Sequence, residues 1–468
     1  MTGVSHAGPQ KRSDMMLNQP VSEAILKSAG PAIVASLITA IYNLADTYFV
    51  SALGTNATAA VSVNASLDQI IQVSGIMLAV GAGSYVSRLL GEERKDQAVR
   101  VLATSFFLAM ACGAVIMALG TIFMQPMVHL LGATETCEQY AKDYATYVLL
   151  AAPFMASTFV MNQCLRAEGS AMLSMVGVGF GGVLNCILDP IFIFTLDLGV
   201  AGASMATAIS KLVSFSILIF PYLSGRSLLP LSPRNFRPSV SILTEVITVG
   251  ASSMIRSALA VVSAVVLNHI AGGISDSVLA GVGVCNKIMV FTFNIIYGMG
   301  VGLQPVIGFN WGAKRYDRVL ESYRFAAWAA TAGAAVIGLL LAVFARPLIG
   351  IFTTEDAEMM SVGVLCVRFQ CVALPIHAWV SMVNAVCNGM GKAWGLLILA
   401  TARQGTCFLP VAKPLALMFG TTGVAAVQAV ADTLSWFLAI PIIHRIKREV
   451  NENMKKQQSL QREAGAAM

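Results

Sequence analysis

Charge is what this sequence has least of: only 12% of its 468 residues are Asp, Glu, Lys or Arg, against about 25% in a soluble globular domain. So few charges cannot coat a water-facing surface of this size, and 56% of the chain is hydrophobic. Disordered, collagen-like and disulfide-rich classes fail on the same composition. The nine cysteines stand singly, with no C-x-x-C pair, so they make neither a disulfide framework nor a zinc site. No G-x-x-x-x-G-K-[ST] phosphate loop and no dinucleotide fingerprint occurs, which excludes ATP as an energy source. The formal charge of +6 is spread over several loops rather than one stripe, which argues against nucleic acid as a partner. Residues 1–23 have no apolar stretch and read as a short tail rather than a signal peptide.

What remains is a series of continuous apolar runs with a mean hydropathy of +0.74. A membrane-crossing helix needs about 20 apolar residues, so this length holds roughly twelve with their connections. The runs fall near 25–50, 58–87, 98–125, 142–163, 170–193 and 200–222. After a Pro- and Arg-rich stretch they resume near 242–270, 277–306, 322–346, 360–386, 394–413 and 420–443. A β-barrel would alternate in polarity instead. Lys and Arg mark every second connection, as at Arg88, Arg94, Lys95 and Arg100, or Lys314, Arg315, Arg318 and Arg324. By the positive-inside bias, both termini are cytoplasmic. Gly81 pairs with Gly302, Gly91 with Gly312, Asp96 with Asp317, and Gly199 with Gly420, all 221 residues apart. The fold class read from this is an all-α polytopic membrane protein of twelve transmembrane helices. A duplication with an even number of spans gives two six-helix bundles related by a pseudo-two-fold axis along the membrane normal. The domains are a tail (1–23), an N-terminal lobe (24–223), a cytoplasmic linker (224–240), a C-terminal lobe (241–445) and a charged tail (446–468) expected to fray.

Acids inside the spans are expensive and therefore candidates for function. Asp46 lies in the first span, in "YNLADTYFVSALG", and Asp189 in the fifth, in "NCILDPIFIF". Asn185, four residues before Asp189, shares its helix face. Pro190 removes a backbone donor and frees carbonyls locally, and Thr207 in the sixth span could add an oxygen. Asp46, Asn185, Asp189 and Thr207 read as a hard-oxygen site for Na⁺, as a proton relay, or as separate groups each satisfied by its own partner. Asp68 reads as close enough to an interface to be solvated. The second half has no matching acids. Arg256, Lys287 and Arg368 fall in or near its spans and either snorkel to an interface or contact a cavity or lipid headgroups. Glu245 and Asp432 rank second, and His269 and His377 read as structural or interfacial.

From about Ile25 to Arg445 the chain resembles the multidrug and toxic compound extrusion (MATE) transporters, in their bacterial multidrug branch. The resemblance rests on "ADTYFVSALG", "LLGEERKDQA" with its counterpart "GFNWGAKRYDRV", "CLRAEGSAMLSMVGVGFGGVLNCILDPIFIF", and "VCNGMGKAWGLLI". It implies a V-shaped cavity and a monomer in the bacterial inner membrane. It also implies export of cationic or amphiphilic compounds in exchange for Na⁺ or H⁺, with no cofactor and with membrane lipids as surroundings. The family's N-terminal cation site matches Asp46, Asn185, Asp189 and Thr207, with Pro31 and Pro190 easing helix bending. Acids that other members carry in spans seven and ten are missing from "VGASSMIRSALAVVSAVVL" and "IHAWVSMVNAVCNGMG". A flippase for lipids or lipid-linked precursors shares the two-bundle plan and is the alternative.

Overall fold

In hydrocarbon no water is available to the backbone, and a helix satisfies every N–H and C=O within its own segment. The computed structural model describes residues 14–135, 137–352 and 356–466, and these form helices, turns and connections with no strand. The long helices of the first half are α1 (Val21–Ser51), α2 (Thr55–Gly91), α3 (Lys95–Ile122), α4 (Glu138–Ala167), α5 (Ala171–Pro190) and α6 (Gly199–Leu223). Those of the second are α7 (Val240–Gly272), α8 (Asp276–Gly312), α9 (Tyr316–Val343), α10 (Ala357–Gly389), α11 (Ala393–Thr401) and α12 (Leu409–Ala466). A π-helical turn follows both α5, at Ile191–Thr195, and α11, at Ala402–Thr406. Gly420, with φ 56° and ψ −131°, breaks α12. The eleventh crossing therefore runs from Ala393 to that break, and the twelfth follows it.

The chain divides into two compact units. The first holds Gly30–Met254 with the extreme N-terminus, and the second holds Gln19–Ala29 with Ile255–Met468. In the first unit α4 is central, packed against α2, α3 and α6. Buried Asn64 of α2 donates to the Ala141 carbonyl of α4 at 3.0 Å, and Tyr222 of α6 donates to the Met161 carbonyl at 2.8 Å. In the second unit α10 takes that place, against α8, α9 and α12. Asp356, just before α10, accepts from Ser277 of α8 at 2.6 Å and caps Met359 N–H at 2.9 Å. These two bonds, Ser277 first, hold its carboxyl below the usual range.

The repeat extends to turn geometry. Glu93 and Lys314, 221 residues apart, are both non-glycine residues with positive φ, at 60° and 57°. Gly199 and Gly420, at the same spacing, have φ 53° and 56°. Within the first unit a Cβ on Gly250 of α7 would collide with the Met77 carbonyl of α2. Within the second, a Cβ on Gly302 of α8 would collide with the Ala29 backbone of α1. Ala29 and Gly250 are also 221 apart, whereas the repeat counterpart of Met77 is Gly298, so the two close approaches use equivalent helix pairs one turn out of register. The connection between α6 and α7 is anchored in the first unit. Fully buried Glu168 accepts from Ser227 Oγ at 2.7 Å and from Leu228 N–H at 2.9 Å.

The charged C-terminal stretch differs from expectation, because it continues as helix to Ala466. Ile446 and Val450 remain buried beyond the apolar run, and Arg448 pairs with Glu452 one turn on at 2.9 Å.

Gly302→Leu is expected to lower stability by about 1–3 kcal/mol, the range for overpacking, whereas Gly333→Ala, which faces open space, is expected to be neutral or stabilising. Thermal unfolding of both variants in detergent checks this, and equal melting temperatures would refute the close approach.

Candidate functional site

Five helices of the first unit bring acidic and polar groups together. Asn185 and Asp189 lie one turn apart on α5, and Asn185 Nδ2 donates to Asp189 Oδ1 at 2.9 Å. The same amide reaches Thr207 Oγ1 on α6 at 3.3 Å. Asp189 is fully buried, and Asn185 and Thr207 are nearly so. Asp46 of α1 lies within electrostatic reach of Asp189 and of Asp68 on α2. Three of the four residues expected to form a cation site are thus joined by hydrogen bonds, and the fourth, Asp46, stands within repulsive reach of Asp189 without a hydrogen bond to it.

Each aspartate has an oxygen left over. Asp46 Oδ1, Asp68 Oδ1 and Asp189 Oδ2 are buried without a hydrogen-bond partner in the protein. A carboxylate oxygen in such a place is stable only if something positive meets it. Part of that charge is supplied by Lys211, four residues after Thr207 and on the same face of α6. Its Nζ donates to Tyr42 Oη at 2.9 Å, lies 5.0 Å from the Tyr42 ring centroid, and acts on both Asp46 and Asp68. The buried phenol of Tyr144, on α4, faces Asp46, Asp68 and Asp189 and the Thr207 hydroxyl. Counted as fully ionised, the three carboxylates and one ammonium carry a formal charge of −2. Among the described residues no three His, Cys, Asp or Glu side chains converge as metal ligands. The oxygens gathered here are carboxylate, amide and hydroxyl, the hard-donor chemistry of an oxygen-bound cation or a proton.

Asp68 Oδ1 is buried within the protein rather than solvated. It lies 13 residues into α2, which is roughly 20 Å along the helix. Lys211 was overlooked in the sequence, although a lone lysine in "AISKLVSFSILIF" carries the same cost signal as Asp46. Tyr42 and Tyr144 carried no such signal, because tyrosine is ordinary in an apolar span. Pro31 and Pro190 both lie inside helices, in α1 and at the end of α5.

In the second unit Lys287 and Arg368 are exposed on α8 and α10, while Arg256 is half-buried on α7. Asp432 is buried against Arg403 at 2.6 Å, with His377 4.0 Å away, so neither Asp432 nor His377 stands alone. Glu245, in the first unit, pairs with Arg88 at 2.5 Å. His269 is exposed.

The MatE family model matches the chain twice, over residues 31–191 and 252–412. Multidrug export protein MepA of Staphylococcus saprophyticus is 27% identical over 428 residues, covering 91% of this chain and 94% of that protein. The Staphylococcus aureus MepA (strain MSSA476) is 26% identical over 431 residues, covering 92% and 94%. Among solved structures, an outward-facing multidrug resistance MATE family transporter of the MOP superfamily superposes with a TM-score of 0.88 at 25% identity. That match covers 93% of this chain and 98% of the other. MATE structures in the straight and the bent conformation give TM-scores of 0.89 and 0.87, both at 24% identity, covering 94% and 95% of this chain and 99% of each structure.

If Lys211 is the internal counter-ion of the aspartates, Lys211→Gln lowers thermal stability and adding Asp68→Asn recovers part of the loss. The expected coupling in a double-mutant cycle is about 0.5–3 kcal/mol, because removing one member of a buried charge pair costs more than removing both. Additive effects of the two substitutions would refute the pairing.

Proposed function

Because the chain belongs to the MatE family, we propose that it is a secondary active antiporter exporting small cationic or amphiphilic organic compounds in exchange for Na⁺ or H⁺. Its place is the bacterial inner (cytoplasmic) membrane, which it crosses several times, and its work is transport without chemical transformation. The observation that carries the coupling assignment is the set of three buried, unpartnered carboxylate oxygens on Asp46, Asp68 and Asp189. The MepA relatives are named as multidrug export proteins, which supports the substrate class. The alternating distribution of Lys and Arg supports cytoplasmic termini, with lobes at 24–223 and 241–445 joined by a cytoplasmic linker at 224–240.

In this reading an entering Na⁺ or H⁺ settles on Asp46 and Asp189, with Asn185 and Thr207 as further oxygen donors. The net charge of the cluster falls from −2 to −1. The hold on a cationic substrate weakens, and α1, which carries Gly30 and Pro31, is biased toward a bent shape. Departure of the ion to the cytoplasm restores the anionic site for the next substrate. Coupling requires that the ion bind the two conformations unequally, and a charge change at Asp46, near the C-terminal end of α1, provides that difference. Lys211 keeps the cluster from accumulating three uncompensated charges between ions.

Asp46→Asn and Asp189→Asn are each expected to reduce gradient-driven ethidium efflux from proteoliposomes at least about tenfold, the scale of one lost charge interaction. Reconstituted protein should stay folded and inserted in both. A Na⁺ gradient and a pH gradient, imposed separately, identify the coupling ion. Wild-type efflux in either variant would refute the assignment.

A further inference from the structure

A groove of about 400 Å³ opens in the second unit between α9, α10 and α12. Its lining residues on α12, Trp436, Ile440, Ile443 and Lys447, recur at helical spacing and form one stripe. Opposite them stand Trp379 of α10 and Thr331 of α9, and the two tryptophans meet edge-on at 6.4 Å. From Trp436 to Lys447 the stripe runs roughly 16 Å by helical rise. That is about half of a hydrocarbon core roughly 30 Å thick, the depth of one leaflet. Lys447 ends the stripe with its charge unanswered. Its Nζ lies 5.2 Å from the Tyr323 ring centroid, and among the described residues it makes no hydrogen bond or ion pair. Neighbouring bases are paired, Arg448 with Glu452 and Lys392 with Glu449. His444, also at this end of the groove, holds Nδ1 2.8 Å from the Ile440 carbonyl. A carbonyl only accepts, so the proton is on Nδ1 and Nε2 is left for a ligand.

The first unit fills the same place with its own side chains. At the repeat spacing of 221, Met110, Phe154 and Phe215 stand where the second unit has Thr331, Pro375 and Trp436. Phe154 meets Phe215 edge-on at 5.1 Å, and Phe106 stacks on Phe215 at 6.4 Å. The counterpart of Phe106 is Ala327, so the ring that closes the space in one half is missing from the other. The cover differs as well. The connection after α6 folds back, with Leu228 and Leu229 buried in the core of the first unit and Phe236 against Phe107 at 5.7 Å. After α12 the chain runs on as helix to Ala466 instead. Trp328, the counterpart of Phe107, is accordingly 72% exposed. The groove wall also keeps Thr331 Oγ1 buried without a hydrogen-bond partner. The second unit thus has an apolar slot where the first has protein.

We propose that this slot holds an anionic phospholipid, with its phosphate at Lys447 and His444 and one acyl chain laid along Ile443 and Ile440 to the two tryptophans. The ligand class follows from the order of groups along the groove. A wholly apolar molecule leaves the Lys447 ammonium unanswered, and a small soluble anion leaves the slot beyond it unfilled. A phosphate joined to a chain one leaflet deep meets both. A headgroup with an ammonium of its own partly neutralises the phosphate that Lys447 faces, so an anionic headgroup such as phosphoglycerol binds better than phosphocholine. Anionic lipids enrich the cytoplasmic leaflet and attract bases beside it, and the groove's basic end leads into the basic stretch Arg445, Lys447 and Arg448. The lipid takes the place that Phe106 and the connection after α6 occupy in the first unit, and it does so whatever the protein exports.

Bromine on an acyl chain quenches the fluorescence of tryptophans it touches, so the groove reports its own occupant. The full chain is reconstituted in phosphatidylcholine vesicles that contain an equal fraction of either brominated phosphatidylglycerol or brominated phosphatidylcholine. Wild-type protein is expected to be quenched more by the first. Replacing both Trp379→Phe and Trp436→Phe is expected to remove that excess, while exposed Trp328 stays quenched alike by both lipids and shows that the variant is inserted. Lys447→Gln is expected to lower the preference for phosphatidylglycerol about fivefold, the scale for one basic side chain at an anionic membrane surface, and Lys447→Arg to keep it. Arg448→Gln removes an exposed base that is paired with Glu452 and is expected to leave the preference unchanged. Equal quenching of wild-type protein by the two lipids overturns the site. So does an excess that survives loss of both tryptophans, or an equal loss in Lys447→Gln and Arg448→Gln, which would show only diffuse surface attraction.

Discussion

A charged group taken into a low-dielectric interior must find an opposite charge or a set of hydrogen bonds, or the segment carrying it is destabilised by several kcal/mol. This constraint organises the protein. Most helix surface here is apolar and interchangeable, and helix packing is satisfied by small residues and close backbone approaches. Against that background Asp46, Asp68, Asp189 and Lys211 are grouped within one unit, and Arg403 and Asp432 within the other. The first group keeps unpaired carboxylate oxygens, and the second is an ion pair.

The duplication shows how such sites diverge while the scaffold stays constant. The central helices α4 and α10 have matching neighbours, and the paired turns at Glu93 and Lys314 share one backbone conformation. Those features answer to packing and chain geometry, which are the same in both halves. The polar clusters differ between the halves in charge and composition. At the repeat-related positions 211 and 432 a lysine faces a lysine's ordinary partners, and an aspartate faces an aspartate's. One scaffold position thus holds opposite charges without a change in the helix that carries it.

The fold was legible because its signal is redundant: twelve apolar runs, a repeat and an alternating charge bias all agree. The break at Gly420 was legible too, as the start of the twelfth run. The site was only partly legible. Asp46 and Asp189 were visible by their cost, and Asn185 by its spacing from Asp189. Thr207 carries almost no signal alone: its hydroxyl reads as one further oxygen in the sixth span, and the family resemblance adds to that reading. Lys211 meets the same cost criterion as Asp46, but no spacing in the sequence ties it to acids on other helices. Asp68 reads as solvated in the sequence, yet its Oδ1 is buried, because which neighbours cover a helical residue is set by other helices that no local pattern names. His377 and Asp432 are 55 residues apart in the chain, and no spacing rule joins positions on different helices.

The composition of the two compact units has one more consequence. The second unit contains Gln19–Ala29, the opening turns of the first half's own first helix, and the first unit contains the opening turns of α7, up to Met254. Each half thus contributes a helix end to the other's interior, as exchanged segments do in swapped oligomers. Severing the connection between α6 and α7 would leave two fragments that are each missing a wedge held by the other.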